Sequence, residues 1–365
     1  MKTEAMVCHM PGEALKLEML DLEEPGDDEV LIEIIACGLC KTDLSQLEGK
    51  AAPYPFPVVV GHEGAGIVRA AGAAVRSLRC GDHAITLGIG ECGQCRNCLS
   101  GKTNLCELWL AEIMEQPTRF SLEGKRVSTY TGVGALSRFV VMKERSVAKI
   151  RPDVPLELAC TISCAVATGV GAALHTAHVE AGSSVAVFGL GGIGLNVVQG
   201  ARLAGAARII GIDSNPARAR QAIPFGLTDF VDPAAGDPVA EILRLTEGGA
   251  DYTFECVGSG VLMQQAFAAS RAGCGCCTVL GVPPDGEVME VTPFNLQMGR
   301  TIKGSFMGNI KGRSQLPGLL DLYVEGKLNL DDLVTHRLPM SRVNEGFELM
   351  RTGEALRVVV SFQGD

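Results

Sequence analysis

Along the first 150 residues the apolar positions fall in short runs separated by turn formers. DEVLIEIIAC (residues 28–37) alternates apolar with acidic and then runs apolar, after the turn-forming LEEPGDD, so it predicts a strand. It leads through Cys37-Gly-Leu-Cys40-Lys-Thr-Asp43 into a short helix with Thr42 or Asp43 near its start. VVVGHEGAGIVR (58–69) predicts a strand that breaks at Gly61-His62-Glu63-Gly64 and resumes at AGIV. DHAITLGI (82–89) is a further strand. Residues 107–135, with EQPTRFSLEGK at their middle, show no period and predict an irregular stretch, and LSRFVVMKERSVAKI (136–150) returns to strand.

Beyond residue 150 the pattern changes. Residues 152–160 become helical, and Ser163-Cys164-Ala165 opens a second helix of small residues, ATGVGAAL. From Ser184 onward apolar runs alternate with helical periods. Strands are predicted at Val185–Phe188, Arg208–Ile212, 230–232, 251–257, 277–282 and 301–306, with helices at 195–203, 215–223, 238–246, 261–271 and 314–326. A helix at 343–352 and a strand at 355–362 close the chain. Such alternation predicts a doubly wound parallel sheet. No repeat or low-complexity linker interrupts the chain, so two domains of ordinary size should share elements rather than hang on a tether.

Composition narrows the class. The 45 glycines and 5% aromatics suit tight turns and a core of small aliphatic side chains. A formal charge of -10 argues against nucleic acid or an anionic membrane as a partner. MKTEAMVCHMPG lacks the apolar run of a signal peptide, and no stretch reaches the roughly eighteen apolar residues of a membrane span. The expectation is a cytoplasmic protein whose 14 cysteines are reduced.

Two stretches carry chemistry. CGQCRNCLSGKTNLC places Cys92, Cys95, Cys98 and Cys106 at spacing C-x2-C-x2-C-x7-C. Four thiolates at short intervals suit a closed tetrahedral zinc with no open position, hence a structural one; the alternative is disulfides or free thiols. SVAVFGLGGIGLNVVQGARLAGAARIIGID is strand, glycine turn, helix, strand and acid. Gly189 allows the tight turn, Gly191 admits a pyrophosphate to the helix N-terminus, and Gly194 allows close helix–strand contact. Asp213, about 20 residues on, suits the adenosine ribose hydroxyls and repels a 2′-phosphate, which favours NAD over NADP. Elsewhere, Cys37 and Cys40 are both candidate ligands, and His62 and Cys164 are ligands or ordinary buried side chains.

Taken together and in order, these motifs resemble the zinc-dependent medium-chain alcohol dehydrogenases of the medium-chain dehydrogenase/reductase superfamily. The resemblance rests on Cys37-Gly-Leu-Cys40-Lys-Thr-Asp, Gly61-His62-Glu63-Gly64-Ala-Gly, the four-cysteine loop, Cys164-Ala-Val-Ala-Thr168-Gly, the glycine fingerprint, Val282-Pro-Pro and Ala355-Leu-Arg357. It implies a β-rich GroES-like catalytic domain (1–165 plus 308–365) and a Rossmann cofactor domain (166–307). It implies two zinc ions per subunit, the catalytic one on Cys40, His62 and Cys164, and NAD as hydride acceptor from a zinc-polarised primary alcohol. Thr42 would take the substrate proton unless its hydroxyl only caps the helix, Asp43 would orient His62, and Glu63 would lie behind the metal. Thr168 would pack on the nicotinamide. Lys41 and Arg357 would grip the pyrophosphate and Arg218 the ribose side, with Gly192, Ile193, Val257, Leu280 and Val282 as further cofactor contacts.

Departures from the family pattern carry the substrate expectation. Ser45 stands where many relatives place the relay histidine, so Ser45 with water would replace it or the base is missing. Gly88 replaces a bulky aromatic that narrows the pocket, and Ala51 stands near a pocket leucine position. A roomy pocket for aromatic, allylic or terpenoid alcohols follows. Leu110 occupies the place of the arginine used by the glutathione-dependent formaldehyde dehydrogenase branch, which argues against that activity. The stretch 107–135 resembles an insertion of the dimeric members, which implies a homodimer. Two other readings remain: an enzyme with permanently bound nicotinamide and an external electron acceptor, and a zinc- or redox-sensing protein without turnover.

Overall fold

The structure, a computed structural model, describes residues 1–115 and 118–362. It divides into two compact units, one of Met1–Cys164, Lys311–Gly326 and Leu330–Asp365, the other of Ala165–Ile310 and Lys327–Asn329.

The first unit begins with strands β1 (Lys2–Cys8), β2 (Lys16–Leu22) and β3 (Glu29–Gly38), helix α1 (Lys41–Leu47), and strands β4 (Val58–Val59), β5 (Glu63–Ala71) and β6 (His83–Thr86). Short helices α2 (Arg96–Leu99) and α3 (Glu107–Glu115) follow. Strands β7 (Phe120–Leu122), β8 (Lys125–Thr129), β9 (Phe139–Lys143) and β10 (Val147–Lys149) and helix α4 (Leu156–Ala159) complete its first pass. Strands β1, β2, β7, β8 and β4 close into a small barrel. A second sheet runs β10-β6-β5-β3 and is extended by β17 (His336–Pro339) and β18 (Val358–Ser361) from the end of the chain. Strand β3 is long enough to pair with β9 over Glu29–Glu33 and with β18 over Ala36–Gly38. Between the sheets lies an aliphatic core that includes Leu20, Ile32, Ile34, Val59, Val140 and Val360.

Residues 107–135 correct the sequence expectation. They form helix α3 and the β7–β8 hairpin rather than an irregular stretch. Leu108 and Leu110 are both exposed, at 42% and 41%, so α3 has no clean apolar stripe, and β7 is too short to display a period. Part of the EQPTRFSLEGK segment, residues 116 and 117, lies outside the described residues.

The second unit holds α5 (Ala165–Gly171), β11 (Ser184–Phe188), α6 (Gly192–Leu203), β12 (Arg208–Ile212), α7 (Ala217–Ala222), β13 (Asp229–Val231) and α8 (Pro238–Leu245). It continues with β14 (Tyr252–Glu255), α9 (Gly260–Ala269), β15 (Cys276–Val279), α10 (Pro293–Gln297) and β16 (Thr301–Gly304). The six strands are parallel in the order β13-β12-β11-β14-β15-β16. Phe188, Ile210, Ile242 and Phe267 pack in its core. Helix α6 starts at Gly192, ahead of the periodic apolar residues, because the fingerprint glycines are already helical and carry no hydropathy signal. Residues 327–329 are bound here through Gln199, whose Oε1 accepts the Asn329 N–H at 2.6 Å, and through Arg202, which donates to the Lys327 carbonyl at 2.6 Å. The remaining helices, α11 (Gly312–Val324) and α12 (Val343–Arg351), belong to the first unit. Among the described residues no single helix is long and apolar enough to cross a membrane.

Candidate metal centres and cofactor site

Strand β3 delivers Cys40 to the N-cap of α1, and the break before β5 delivers His62 and Glu63. Cys164 precedes α5. The ligand atoms of Cys40, His62, Glu63 and Cys164 all lie within 4.8 Å of one another and all four residues are buried. The two sulfurs are 3.9 Å apart. That contact holds the Cys40 thiol well below its usual range and pushes Cys164 well above its own. His62 Nδ1 meets Asp43 Oδ1 at 3.0 Å, which fixes the ring and leaves Nε2 for a metal. Asp43 Oδ1 also accepts the Gly61 N–H at 3.0 Å. Burial works to lower the His62 pKa, but the charges of Asp43 and Cys40 win and hold it well above its usual value.

Behind this cluster Glu63 is fully buried, and burial pushes its carboxyl up to about 8 against the pull of Arg357. Arg357 Nη1 donates to Glu63 Oε1 at 3.0 Å and to the Leu39 carbonyl at 2.7 Å. Glu63 Oε2, Asp43 Oδ2 and Arg357 Nε are sealed from solvent without partners. Gly38 is required here, since a Cβ on it would lie 2.3 Å from Glu63 Oε2. Two buried cysteine sulfurs and an oriented imidazole supply three ligands, which fit a zinc whose fourth position is open to substrate. Cys37 is buried outside this set, with its thiol raised mainly by burial, which resolves the choice left open between Cys37 and Cys40.

The Cys92, Cys95, Cys98 and Cys106 sulfurs form the second such group. Backbone N–H groups point at three of them: Cys95 to Cys92 at 3.3 Å, Cys98 to Cys95 at 3.4 Å, and Cys92 to Cys106 at 3.4 Å. Such donors stabilise thiolate, and the Cys98 N–H is the main reason the Cys95 thiol falls to about 6. An all-sulfur set suits a closed structural zinc.

Thr42 is not the helix cap, since Cys40 takes that place; its Oγ1 lies 3.4 Å from the Cys40 sulfur. Ser45 follows one turn on, on the same face of α1. Lys41 is exposed at the start of that helix, and Ala51 is half-buried just after it. Gly88 lies beside His62: a Cβ on it would be in ordinary van der Waals contact with Thr131 Oγ1 at 3.4 Å and His62 Cβ at 3.8 Å, so a methyl group fits there but a larger side chain would press on Thr131 and His62. Sequence reasoning missed Tyr130, whose ring stands edge-on to His62 at 6.1 Å. Its signal was an aromatic inside a stretch with no period.

In the second unit Gly191 caps α6, and a Cβ there would meet nothing within 4 Å, whereas one on Gly194 would lie 1.8 Å from the Gly189 carbonyl. The helix N-terminus, with Gly192 and Ile193 in its first turn, is therefore open to a pyrophosphate. Asp213 follows β12 and accepts the Leu190 and Asn215 N–H groups, both at 2.8 Å. Arg218 is buried, and burial lowers its pKa despite the Asp213 charge. Thr168 Oγ1 lies 3.7 Å from the Met307 sulfur. Leu280 is buried and Val282 exposed. These features fit a dinucleotide. Sequence reasoning also missed Glu255, considered below; its signal was an acid inside the apolar run of DYTFECV.

A dinucleotide fold with an open His/Cys/Cys metal group and a closed four-cysteine group defines a zinc-dependent, nicotinamide-linked oxidoreductase. Residues 26–152 match the family described as the alcohol dehydrogenase GroES-like domain, and residues 192–325 match zinc-binding dehydrogenase. The chain is similar to alcohol dehydrogenase class-3 of Cereibacter sphaeroides (44% identical, covering 99% of this chain and 100% of that one). It is also similar to S-(hydroxymethyl)glutathione dehydrogenase of Paracoccus denitrificans (42%, with the same coverage). Among solved structures, benzyl alcohol dehydrogenase of Acinetobacter calcoaceticus superposes with a TM-score of 0.92 at 30% identity, with 99% of each chain covered. The chain belongs to the zinc-containing, NAD-linked alcohol dehydrogenase family.

Proposed function

We propose that this protein interconverts bulky primary alcohols, aromatic or allylic, and their aldehydes with NAD. The observation that carries the reading is that residue 88, next to His62, is a glycine and puts no side chain of its own beside the metal group. The benzyl alcohol dehydrogenase neighbour adds support. When bound, zinc supplies a Lewis acid for the alcohol oxygen and NAD supplies the hydride acceptor. Cys40, His62 and Cys164 hold the metal, and Asp43 fixes the His62 ring. Thr42 Oγ1 receives the alcohol proton, and Ser45, one turn along, passes it on through water.

S-(hydroxymethyl)glutathione is the competing substrate, since two curated relatives with that activity in their names share 42% and 43% of their residues with this chain. Its tripeptide carries carboxylates, and Leu110 offers them no cation. The test is formation of reduced nicotinamide across ethanol, benzyl, cinnamyl and terpene alcohols and S-(hydroxymethyl)glutathione, with NAD and NADP in parallel. Turnover concentrated on the glutathione adduct would sink the bulky-alcohol reading. Nicotinamide retained through purification, with turnover only on adding an electron acceptor, would favour the external-acceptor enzyme. Placing a ring there should reverse the preference: Gly88→Phe is expected to lower kcat/KM for cinnamyl alcohol by roughly 100-fold and for ethanol by far less.

The same reading places the protein in the cytoplasm as a homodimer. The dimer's support is β16, the last strand of the parallel sheet, and the preceding residues of α10 and its C-cap, where Phe294, Leu296 and Met298 are 62%, 45% and 46% exposed. Phe294→Glu is expected to shift the sedimentation of the protein from dimer to monomer. A wild-type chain that sediments as a monomer removes the dimer.

A further inference from the structure

Glu255 is a carboxylate where the core calls for an apolar side chain. It ends β14 and is fully buried. Its Oε1 accepts three backbone N–H groups, from Val257 at 2.9 Å, Gly258 at 2.7 Å and Ser259 at 3.3 Å. It thereby holds the whole turn that leads into α9. Its backbone carbonyl accepts the N–H groups of Leu280 at 2.9 Å and Gly281 at 3.1 Å, in the turn that leaves β15. Its second oxygen, Oε2, is sealed from solvent and has no partner.

The turns around it are locked together. A Cβ on Gly281 would lie 2.0 Å from the Gly258 nitrogen and 2.7 Å from Glu255 Oε2. A Cβ on Gly258 would lie 2.3 Å from the Val282 carbonyl, and one on Gly189 would lie 2.4 Å from Val257 Cγ2. The fingerprint turn after β11, the turn after β14 and the turn after β15 therefore meet around this acid at the carboxyl ends of adjacent parallel strands.

The strand order says which part of the cofactor these turns face. Strand β11 has β12 on one side and β14, then β15, on the other. Asp213, following β12, marks the adenosine side. A dinucleotide lies across the carboxyl ends of such a sheet, so its nicotinamide half falls on the side of β14 and β15. We infer that Glu255 is a positioning residue for the nicotinamide half of NAD. It sets the Val257–Ser259 turn directly and the Leu280–Val282 turn through its carbonyl and the Gly258–Gly281 contact.

The chemistry explains why a carboxylate stands here. Three N–H groups converging on one oxygen compensate a buried negative charge, and the charge strengthens each bond. An amide offers a weaker acceptor and puts N–H donors into the sealed Oε2 position, where no acceptor waits. The inference rests on NAD as the cofactor and is independent of the alcohol, so it survives whichever alcohol the panel favours.

The test is ligand binding by the full chain. NADH is followed by its own fluorescence, and ADP-ribose, which lacks the nicotinamide, by calorimetry. Glu255→Gln is expected to weaken NADH about tenfold while ADP-ribose stays within about twofold, because Gly189–Gly194 and Asp213 are untouched. Equal loss of both ligands would make Glu255 a purely structural group and overturn the inference, as would unchanged NADH affinity. Glu255→Asp keeps the charge and shortens its reach, so it serves if the glutamine variant fails to fold. The same selective loss is expected, and wild-type affinity for NADH in that variant also overturns the assignment.

Discussion

Cys40→Ser is expected to lower alcohol oxidation by at least about a thousandfold, the scale of losing Lewis-acid assistance at the reacting oxygen, while the protein keeps its fold. The substitution removes one sulfur from the Cys40/His62/Glu63/Cys164 group and touches nothing in the four-cysteine loop. Zinc content should fall from two ions per subunit to one. The surrounding strands remain tied by main-chain pairing of β3 to β5 and β18. Cys95→Ser should do the opposite. It opens the closed group, where the sulfurs organise a loop with little apolar burial of its own: Cys92 and Cys95 are half-exposed and Leu99 is 75% exposed. A loop held by metal loses its order with the metal, so the melting temperature should fall more than in Cys40→Ser. Equal losses of melting temperature in the two variants would remove the division into a catalytic and a structural site.

Much of that division was legible because metal-ligand chemistry is written in residue type and spacing. C-x2-C-x2-C-x7-C announces itself within one loop. The glycine fingerprint announces itself because Gly189, Gly191 and Gly194 answer three different steric demands in one turn. The open metal group is different. Cys40, His62 and Cys164 stand far apart in the chain, and no local pattern joins them. Family resemblance united them, and their geometry came only with the fold. Groups that act through burial were the least visible. Nothing local marks Glu63 as a carboxylate held behind the metal by an arginine from the far end of the chain. Glu255 reads as a flaw in an apolar strand, and only the three N–H groups aimed at it give it a purpose. Helix α3 was missed because Leu108 and Leu110 face solvent, so its hydropathy period is blurred. Tyr130, within the same stretch, went unseen with it.

Arg357→Met should show how far the catalytic unit depends on that buried pair. Arg357 and Glu63 are 5% and 0% exposed, and their contact joins residues from opposite ends of the chain. Removing the guanidinium takes the stronger of two counter-charges from Glu63 and leaves it only His62, and it also strips the Leu39 carbonyl of its donor. Breaking one side of a buried ion pair typically costs about 3–5 kcal/mol, and urea unfolding of the variant should show a loss of that order. The cost lies mainly in the stranded carboxylate rather than in the lost attraction. Glu63→Gln added to Arg357→Met should therefore restore a large part of the stability, because a neutral amide needs no counter-charge. If the double variant is less stable than Arg357→Met alone, the loss came from packing of the arginine side chain, and the pair contributes shape rather than charge balance.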